Sequence, residues 1–130
     1  GRSDATLKPG GVRIGTAEIY RIVESHPAVA DSIVVGQSWR GDIRIVLFVI
    51  LEDEHVWNDE LIDDLRKEIA VHATAKHVPS VIRKVNKIPY TLSGKKVELA
   101  VRDLLHGEEP RNVEALADPT ALDCYRNLDI

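Results

Sequence analysis

Seven consecutive apolar residues, IVLFVIL at positions 45–51, constrain the fold of this chain more than any other stretch. The run is much shorter than the ~18–20 residues that cross a membrane as a helix. An uninterrupted apolar run of this length is typical of a strand that is buried on both faces. We therefore predict a strand over residues 43–51 at the centre of a small sheet.

The remaining elements follow from turn residues and hydrophobic periodicity. The turn residues at positions 8–11, KPGG, predict an N-terminal β-hairpin between strands at residues 6–7 and 12–14. Strands are also predicted over residues 29–36 and 80–87, with a turn over residues 37–42. Thr16 is predicted to cap a first helix, and Asn58 or Asp59 a second.

The second helix has an apolar stripe typical of one buried face, made by Leu61, Ile62, Leu65 and Ile69. The element order hairpin, α, β, β, α, β, α indicates an α+β fold. We predict an N-terminal hairpin, a central sheet of about three strands covered by helices, and a helical tail. In the tail, Asp118 and Pro119 are predicted to start a short helix whose Leu122, Tyr125 and Leu128 dock on the core.

A lysine-bearing loop, IPYTLSGKK at positions 88–96, precedes a further helical pattern. Ser93 is predicted to be the N-cap of that helix and Gly107 its C′ residue, which would place Lys95 in the first turn. A cation there opposes the helix dipole, whereas the free N–H groups suit an anion. From the residues alone, Lys95 is either a solvated lysine or a cation that reaches a phosphate or carboxylate. A P-loop is excluded, because that motif requires a glycine where Pro89 stands and Ser or Thr where Lys96 stands.

Composition narrows the function classes. The chain has 130 residues and a net charge of −4, so we expect one domain and no nucleic-acid partner. No apolar run is long enough for a membrane span, and no membrane partner is expected. The single cysteine, Cys124, fits a reducing compartment, and we expect a cytoplasmic protein. The spacing of His72 and His77 does not suggest a metal site.

Two motifs together resemble a known superfamily. Residues 89–95, P-Y-T-L-S-G-K, resemble the P-x-T-x-S-G-K signature of the adenylate-forming enzymes. Residues 1–4, GRSD, followed by residues 11–14, GVRI, and residues 18–19, EI, resemble the hinge motif of the same superfamily, in the same order. Residues 88–98 and the tail residues Asp118, Pro119, Leu122, Tyr125 and Arg126 resemble the acetoacetyl-coenzyme A synthetase branch. The opening inside a motif suggests a domain of a longer protein.

The resemblance implies a mobile C-terminal domain of an ATP-dependent acid–thiol ligase. Residues 1–4 would be the hinge, 5–106 the domain and 107–130 an extension. Lys95 matches the catalytic lysine, Asp4 the hinge aspartate, and Arg2 and Arg13 the arginines near the nucleotide. Gly11 matches a glycine that lines the coenzyme A tunnel, although a turn glycine needing positive φ fits the same position.

Further implications concern substrates and partners. ATP and coenzyme A would be substrates, and Mg²⁺ would bind outside this domain. The partners would be the enzyme's own N-terminal adenylation domain and, at Lys95, a lysine acetyltransferase and deacetylase. Arg66, with Lys67, resembles a basic pair that contacts coenzyme A phosphate, although the local pattern favours a solvated helix face for both. The isolated domain would be inactive, because the phosphate loop and acyl pocket lie elsewhere.

Some residues depart from the superfamily pattern and leave alternatives open. Ala5 stands where many members have a second acid, and Glu98 and Leu99 stand where many have basic residues. The same domain of another short-chain ligase, such as acetyl-coenzyme A synthetase, is one alternative, and a binding module without chemistry is another. If one domain serves two half-reactions by rotating, Gly11 and Lys95 should lie on different faces, more than roughly 14 Å apart.

Overall fold

The computed structural model describes residues 6–7, 14–110, 113–126 and 128. The elements in chain order are the strands β1 (Thr6–Leu7) and β2 (Ile14–Gly15), helix α1 (Thr16–Val23), strands β3 (Val29–Trp39) and β4 (Asp42–Leu51), helix α2 (Asp59–His72), strand β5 (Val81–Lys84) and helix α3 (Glu98–Leu105). Within the described residues, 3₁₀ helices lie at Ala75–His77, Val113–Ala115 and Pro119–Tyr125.

The sheet has the order β3-β4-β5, with the predicted strand at its centre. β3 and β4 are antiparallel and pair Ile33 with Phe48, whereas β4 and β5 are parallel and pair Leu47 with Ile82. Parallel neighbours require a crossover connection, which α2 supplies here. The predicted α+β class and three-stranded sheet are confirmed.

Both faces of β4 are buried, as its unbroken apolar sequence predicts. One face packs with α1 and α2 in a cluster that includes Ile45, Leu47, Val49, Leu65 and Ile69. The other face packs with α3 and the C-terminal tail in a second cluster; its members include Val46, Phe48, Val101, Leu122 and Tyr125. The sheet therefore separates two hydrophobic cores, one covered by α1 and α2 and the other by α3 and the C-terminal tail.

The N-terminal strands pair as predicted, since Thr6 lies opposite Gly15 and Leu7 opposite Ile14. The connecting residues 8–13 lie outside the described part of the chain. Thr16, predicted as an N-cap, is instead the first residue of α1, and Gly15 is the N-cap. Thr16 is fully buried at the start of the helix.

The turn predicted over residues 37–42 is shorter in the structure, because the strands continue to Trp39 and Asp42, which pair with each other. Only Arg40 and Gly41 lie between them, with φ values of 51° and 80°. Positive φ at both central residues is the requirement of a tight type I′ hairpin turn, whose twist matches that of the flanking strands. The polar residues of this stretch are typical of a loop, so the sequence pattern did not indicate that both strands extend into it.

Several predicted caps are confirmed. The Asn58 side chain accepts a hydrogen bond from the Leu61 amide at the start of α2. Gly107 has φ of 76° after α3, and the amide of Glu108 donates to the carbonyl of Asp103 at 2.9 Å. That bond belongs to the Schellman motif. Asp118 caps the tail helix, although the helix is 3₁₀.

The docked tail gives a stability prediction. Leu122 is fully buried against Phe48 and its neighbours, whereas Leu92 is 79% exposed. Leu122→Ala should lower the free energy of unfolding by about 2–5 kcal/mol, because it leaves a cavity. Leu92→Ala, the matched control, should change it by less than about 0.5 kcal/mol. Urea unfolding followed by circular dichroism measures both, and equal small effects would contradict the docking of the tail.

Candidate functional site

The lysine loop, residues 88–97, folds differently from its prediction as a helix start. α3 begins at Glu98 with Val97 as its N-cap, so Ser93 does not cap it. Instead the loop closes on itself: the Thr91 amide donates to the Lys95 carbonyl at 2.8 Å, and the Val97 amide to the Pro89 carbonyl at 3.0 Å. Lys95 therefore stands at a tight turn before the helix, and the argument from the helix dipole does not apply to it.

The turn depends on Gly94 and on two hydroxyls. Gly94 has φ of 86°, a conformation that side chains with a Cβ rarely adopt, and its amide donates to the Thr91 carbonyl at 2.9 Å. The Thr91 hydroxyl accepts a hydrogen bond from the Lys95 amide at 3.1 Å and lies 2.9 Å from the Ser93 hydroxyl. Thr, Ser and Gly in the motif thus shape the backbone that carries Lys95.

The Lys95 side chain is exposed. None of the described carboxylates forms an ion pair with its ammonium group. A lysine in this state is a solvated cation that is available to an incoming anion. The structure thus leaves its charge uncompensated within the described residues.

The next residue, Lys96, is in the opposite situation. Its side chain is 15% exposed and its ammonium pairs with the Glu24 carboxylate and, at 3.4 Å, with Asp31. The same ammonium lies 3.7 Å from the centre of the Tyr20 ring. A desolvated cation over an aromatic face adds attraction to the ion pairs. Lys96 therefore joins the lysine loop to α1 and β3.

Two tyrosines extend this network along the edge of the sheet. The Tyr20 hydroxyl donates to Glu98 and accepts a hydrogen bond from the Val34 amide on the outer edge of β3, at 3.1 Å. Burial raises the pKa of Tyr20, and the nearby Glu98 carboxylate raises it further. The Tyr90 hydroxyl donates to Asp31 at 2.6 Å, and its pKa is raised first by burial and then by that bond. Both phenols therefore remain protonated donors at neutral pH.

The sequence did not predict this anchoring network. Tyr20, Glu24 and Asp31 lie more than 60 residues before Lys96 in the chain, and each also suits a solvated surface. The adjacent lysines Lys95 and Lys96 were the one sequence feature that could have indicated the network. A tight turn directs neighbouring side chains to different environments, so one of the two could be expected to point toward the protein.

Of the other predicted site residues, the structure describes Arg66 alone. Arg2, Asp4, Gly11 and Arg13 lie outside the described residues, so the hinge, the tunnel glycine and the separation of Gly11 from Lys95 stay predictions. Arg66 lies on α2, where its guanidinium donates to the Ser80 carbonyl at 3.1 Å. α2 packs on one face of the sheet and the lysine loop on the other, so the fold does not bring Arg66 and Lys95 together.

Metal-binding clusters and membrane-spanning helices are both absent from the part of the chain that the structure describes. No group of three or more His, Cys, Asp or Glu side chains among them could hold a metal ion. None of the helices formed by those residues has the length and apolar character that crossing a membrane requires.

The contrast between the two lysines gives a prediction about stability. Lys96→Met should lower the free energy of unfolding by roughly 1–3 kcal/mol, because it leaves Glu24 and Asp31 partly buried without their cation. Lys95→Met, the control at the adjacent position, should leave it within about 0.5 kcal/mol. Denaturant midpoints of the two variants test this, and a larger loss at Lys95 would reverse the assignment.

Comparison with known proteins supports the motif assignment. The family model of the AMP-binding enzyme C-terminal domain matches residues 18–95. The acetoacetyl-coenzyme A synthetase of Rhizobium meliloti (strain 1021) is 51% identical over 129 residues, which are 99% of this chain and 20% of that protein. The acetoacetyl-CoA synthetase of Gallus gallus is 43% identical over 129 residues, 98% of this chain and 19% of that protein.

Solved structures of related enzymes have the same fold as this chain. The acetoacetyl-CoA synthetase from Streptomyces lividans superposes with a TM-score of 0.83 at 36% identity, over 96% of this chain and 19% of that one. An acyl-CoA synthetase from Brucella canis gives a TM-score of 0.73 at 30% identity, over 79% of this chain and 19% of that one. The chain thus spans about a fifth of the length of the relatives it matches. It belongs to the AMP-binding enzyme C-terminal domain family of the adenylate-forming enzymes.

Proposed function

We propose that this chain is the C-terminal domain of an acetoacetyl-coenzyme A synthetase, an AMP-forming acid–thiol ligase, and that Lys95 is its catalytic lysine. Support comes from the named relatives, which match nearly the whole chain. The single observation that carries the role of Lys95 is its exposed ammonium, which pairs with none of the described carboxylates, on a turn whose backbone is closed by hydrogen bonds.

The proposed reaction has two steps. In the first, a carboxylate oxygen of acetoacetate attacks the α-phosphorus of ATP, and the bond to pyrophosphate breaks. In the second, the sulfur of coenzyme A attacks the acyl carbon of the adenylate, its proton is lost, and AMP leaves. Negative charge gathers between the carboxylate and the α-phosphate in the first step, so a positioned cation stabilises that transition state. Lys95 would supply the cation.

The hairpin and hinge are proposed to serve the second step. Asp4 would be the pivot about which the domain turns against its N-terminal adenylation domain. Arg2 and Arg13 would contact the nucleotide, while Gly11 would line the path of the coenzyme A thiol. Arg66, on the opposite sheet face from the lysine loop, would contact a coenzyme A phosphate when that face is presented. Two faces of one sheet are compatible with two docked orientations.

Substrates and modification follow from the same proposal. ATP and coenzyme A are the proposed substrates. Mg²⁺ would bind in the full-length protein, outside this domain. Acetylation of Lys95 would remove its charge and block the first step. The exposure of Lys95 supports it as the substrate of a lysine acetyltransferase and deacetylase, in contrast to Lys96, whose side chain is 15% exposed.

The role of Lys95 predicts a split between the half-reactions. In the full-length protein, Lys95→Ala should slow adenylate formation by roughly 10²–10³-fold, the usual effect of removing one group that stabilises transition-state charge. Thioester formation from supplied acetoacetyl-adenylate should change much less, since that step gathers charge elsewhere. Pyrophosphate exchange and single-turnover thioester assays measure the two. Equal losses in both would point to a structural role for Lys95.

The missing part of the protein gives a second prediction. The 130-residue chain expressed alone should fold, because its described residues form two buried apolar clusters, one on each face of the sheet. It should catalyse no ATP–pyrophosphate exchange with acetoacetate, since the proposed phosphate and acyl sites lie in the other domain. Exchange above that of a Lys95→Ala control of the same chain would disprove the need for that domain.

A further inference from the structure

The C-terminal tail forms backbone hydrogen bonds with the lysine loop. Leu116 pairs with Thr91 in an antiparallel bridge. The Ala117 amide donates to the Tyr90 carbonyl at 2.9 Å, and the Leu92 amide donates to the Ala115 carbonyl at 3.3 Å. The tail therefore adds a short strand-like pairing to the outer side of the turn that carries Lys95.

The tail also contacts the segment that leads into the loop. The Tyr125 hydroxyl donates to the Lys87 carbonyl at 2.6 Å, and the Lys87 ammonium contacts Asp118 at 3.0 Å and Thr120 at 2.9 Å. The Tyr125 ring packs edge-on against Phe48 of the central strand, with ring centres 5.0 Å apart. The tail thus connects the loop to the sheet through a fully buried side chain.

These contacts matter because the loop has little regular structure of its own. Residues 85–97 lie between β5 and α3. The Val85 amide still donates to the Val49 carbonyl of β4, whereas the backbone bonds among residues 89–97 shape the turn without joining it to the sheet. Lys96 and Tyr90 hold one side through Glu24 and Asp31, and the tail holds the other through residues 115–117. Removing the attachment to the tail would leave the turn held on the Lys96 and Tyr90 side and would loosen its other side.

We propose that residues 113–126 act as a positioning element for the lysine loop, fixing Lys95 relative to the sheet through the backbone of residues 115–117. The inference rests on the proposed catalytic role of Lys95. A displacement of the ammonium by about 1 Å can cost roughly 10²-fold in rate, because the reacting groups leave their productive geometry. The loss should fall on adenylate formation, the step assigned to Lys95.

The test uses Ala117→Pro in the full-length protein. Proline lacks the amide that donates to Tyr90, and it favours the extended backbone that Leu116 has in its bridge. Ala117→Ser, which keeps the amide at this exposed position, is the matched control. Tyr125→Phe, which removes the bond to the Lys87 carbonyl and keeps the ring, is a second variant in case the proline variant does not fold.

Two readouts are needed, one of which is independent of activity. Hydrogen exchange should accelerate at the Leu92 amide, which bonds to the tail, more than at the Thr91 amide, which bonds within the loop. Adenylate formation should fall about tenfold or more in Ala117→Pro, with a smaller fall in Tyr125→Phe. Thioester formation from supplied acetoacetyl-adenylate should stay within about twofold, and Ala117→Ser should match the unmodified protein.

The outcomes separate this inference from the proposed function. Unchanged Leu92 exchange and unchanged adenylate formation in the folded variants would overturn the positioning role, while an inactive Lys95→Ala would still support the catalytic one. Equal losses in both half-reactions would overturn it in favour of general destabilisation. If Lys95→Ala itself forms adenylate normally, the proposed function fails, and with it the positioning role.

Discussion

Burial of both faces of β4 is the constraint on which the rest of this structure depends. Because successive side chains of a strand point to opposite faces, its apolar run creates two cores. Leu47 faces α1 and α2, and Phe48 faces α3 and the tail. The lysine loop is connected to the Phe48 face: Tyr125 packs against that ring, and the same tyrosine donates to the Lys87 carbonyl at the entrance to the loop.

The turn at Gly94 places the two adjacent lysines in different environments, with Lys95 exposed and Lys96 largely buried. Gly94 in its left-handed conformation reverses the chain, and the residues that follow direct Lys96 inward to Glu24, Asp31 and the Tyr20 ring. Lys95 stays exposed with no ion pair to the described carboxylates. Because Lys96 is held by its ion pairs, the backbone of the adjacent Lys95 is restricted as well. A cation in a restricted position is what electrostatic stabilisation of a developing charge requires.

The features that the sequence predicts well are those with local causes. The central strand followed from seven apolar residues, the cap at Asn58 from its side chain, and the end of α3 from Gly107. The errors also have physical causes. Ser93 is a strong N-cap residue, but the bonds of Thr91 to Lys95 and Gly94 favour a closed turn. Polar residues at 37–42 resembled a loop, although they form the end of the β3–β4 hairpin, beyond the Val46–Val49 segment that pairs with β5. The Lys96 network and the pairing of Thr91 with Leu116 join distant segments, so no local pattern indicates them.

Chemical labelling of the two lysines tests the central claim, that Lys95 is free while Lys96 is held. Brief treatment of the folded protein with a trace of acetic anhydride, followed by peptide mass spectrometry, gives the relative acetylation rate of each ammonium. The account predicts that Lys95 is acetylated at least about tenfold faster, since Lys96 is paired with Glu24 and Asp31 beneath the Tyr20 ring. In denaturant the two rates should become equal. Equal rates in the folded protein, or faster labelling of Lys96, would contradict the account.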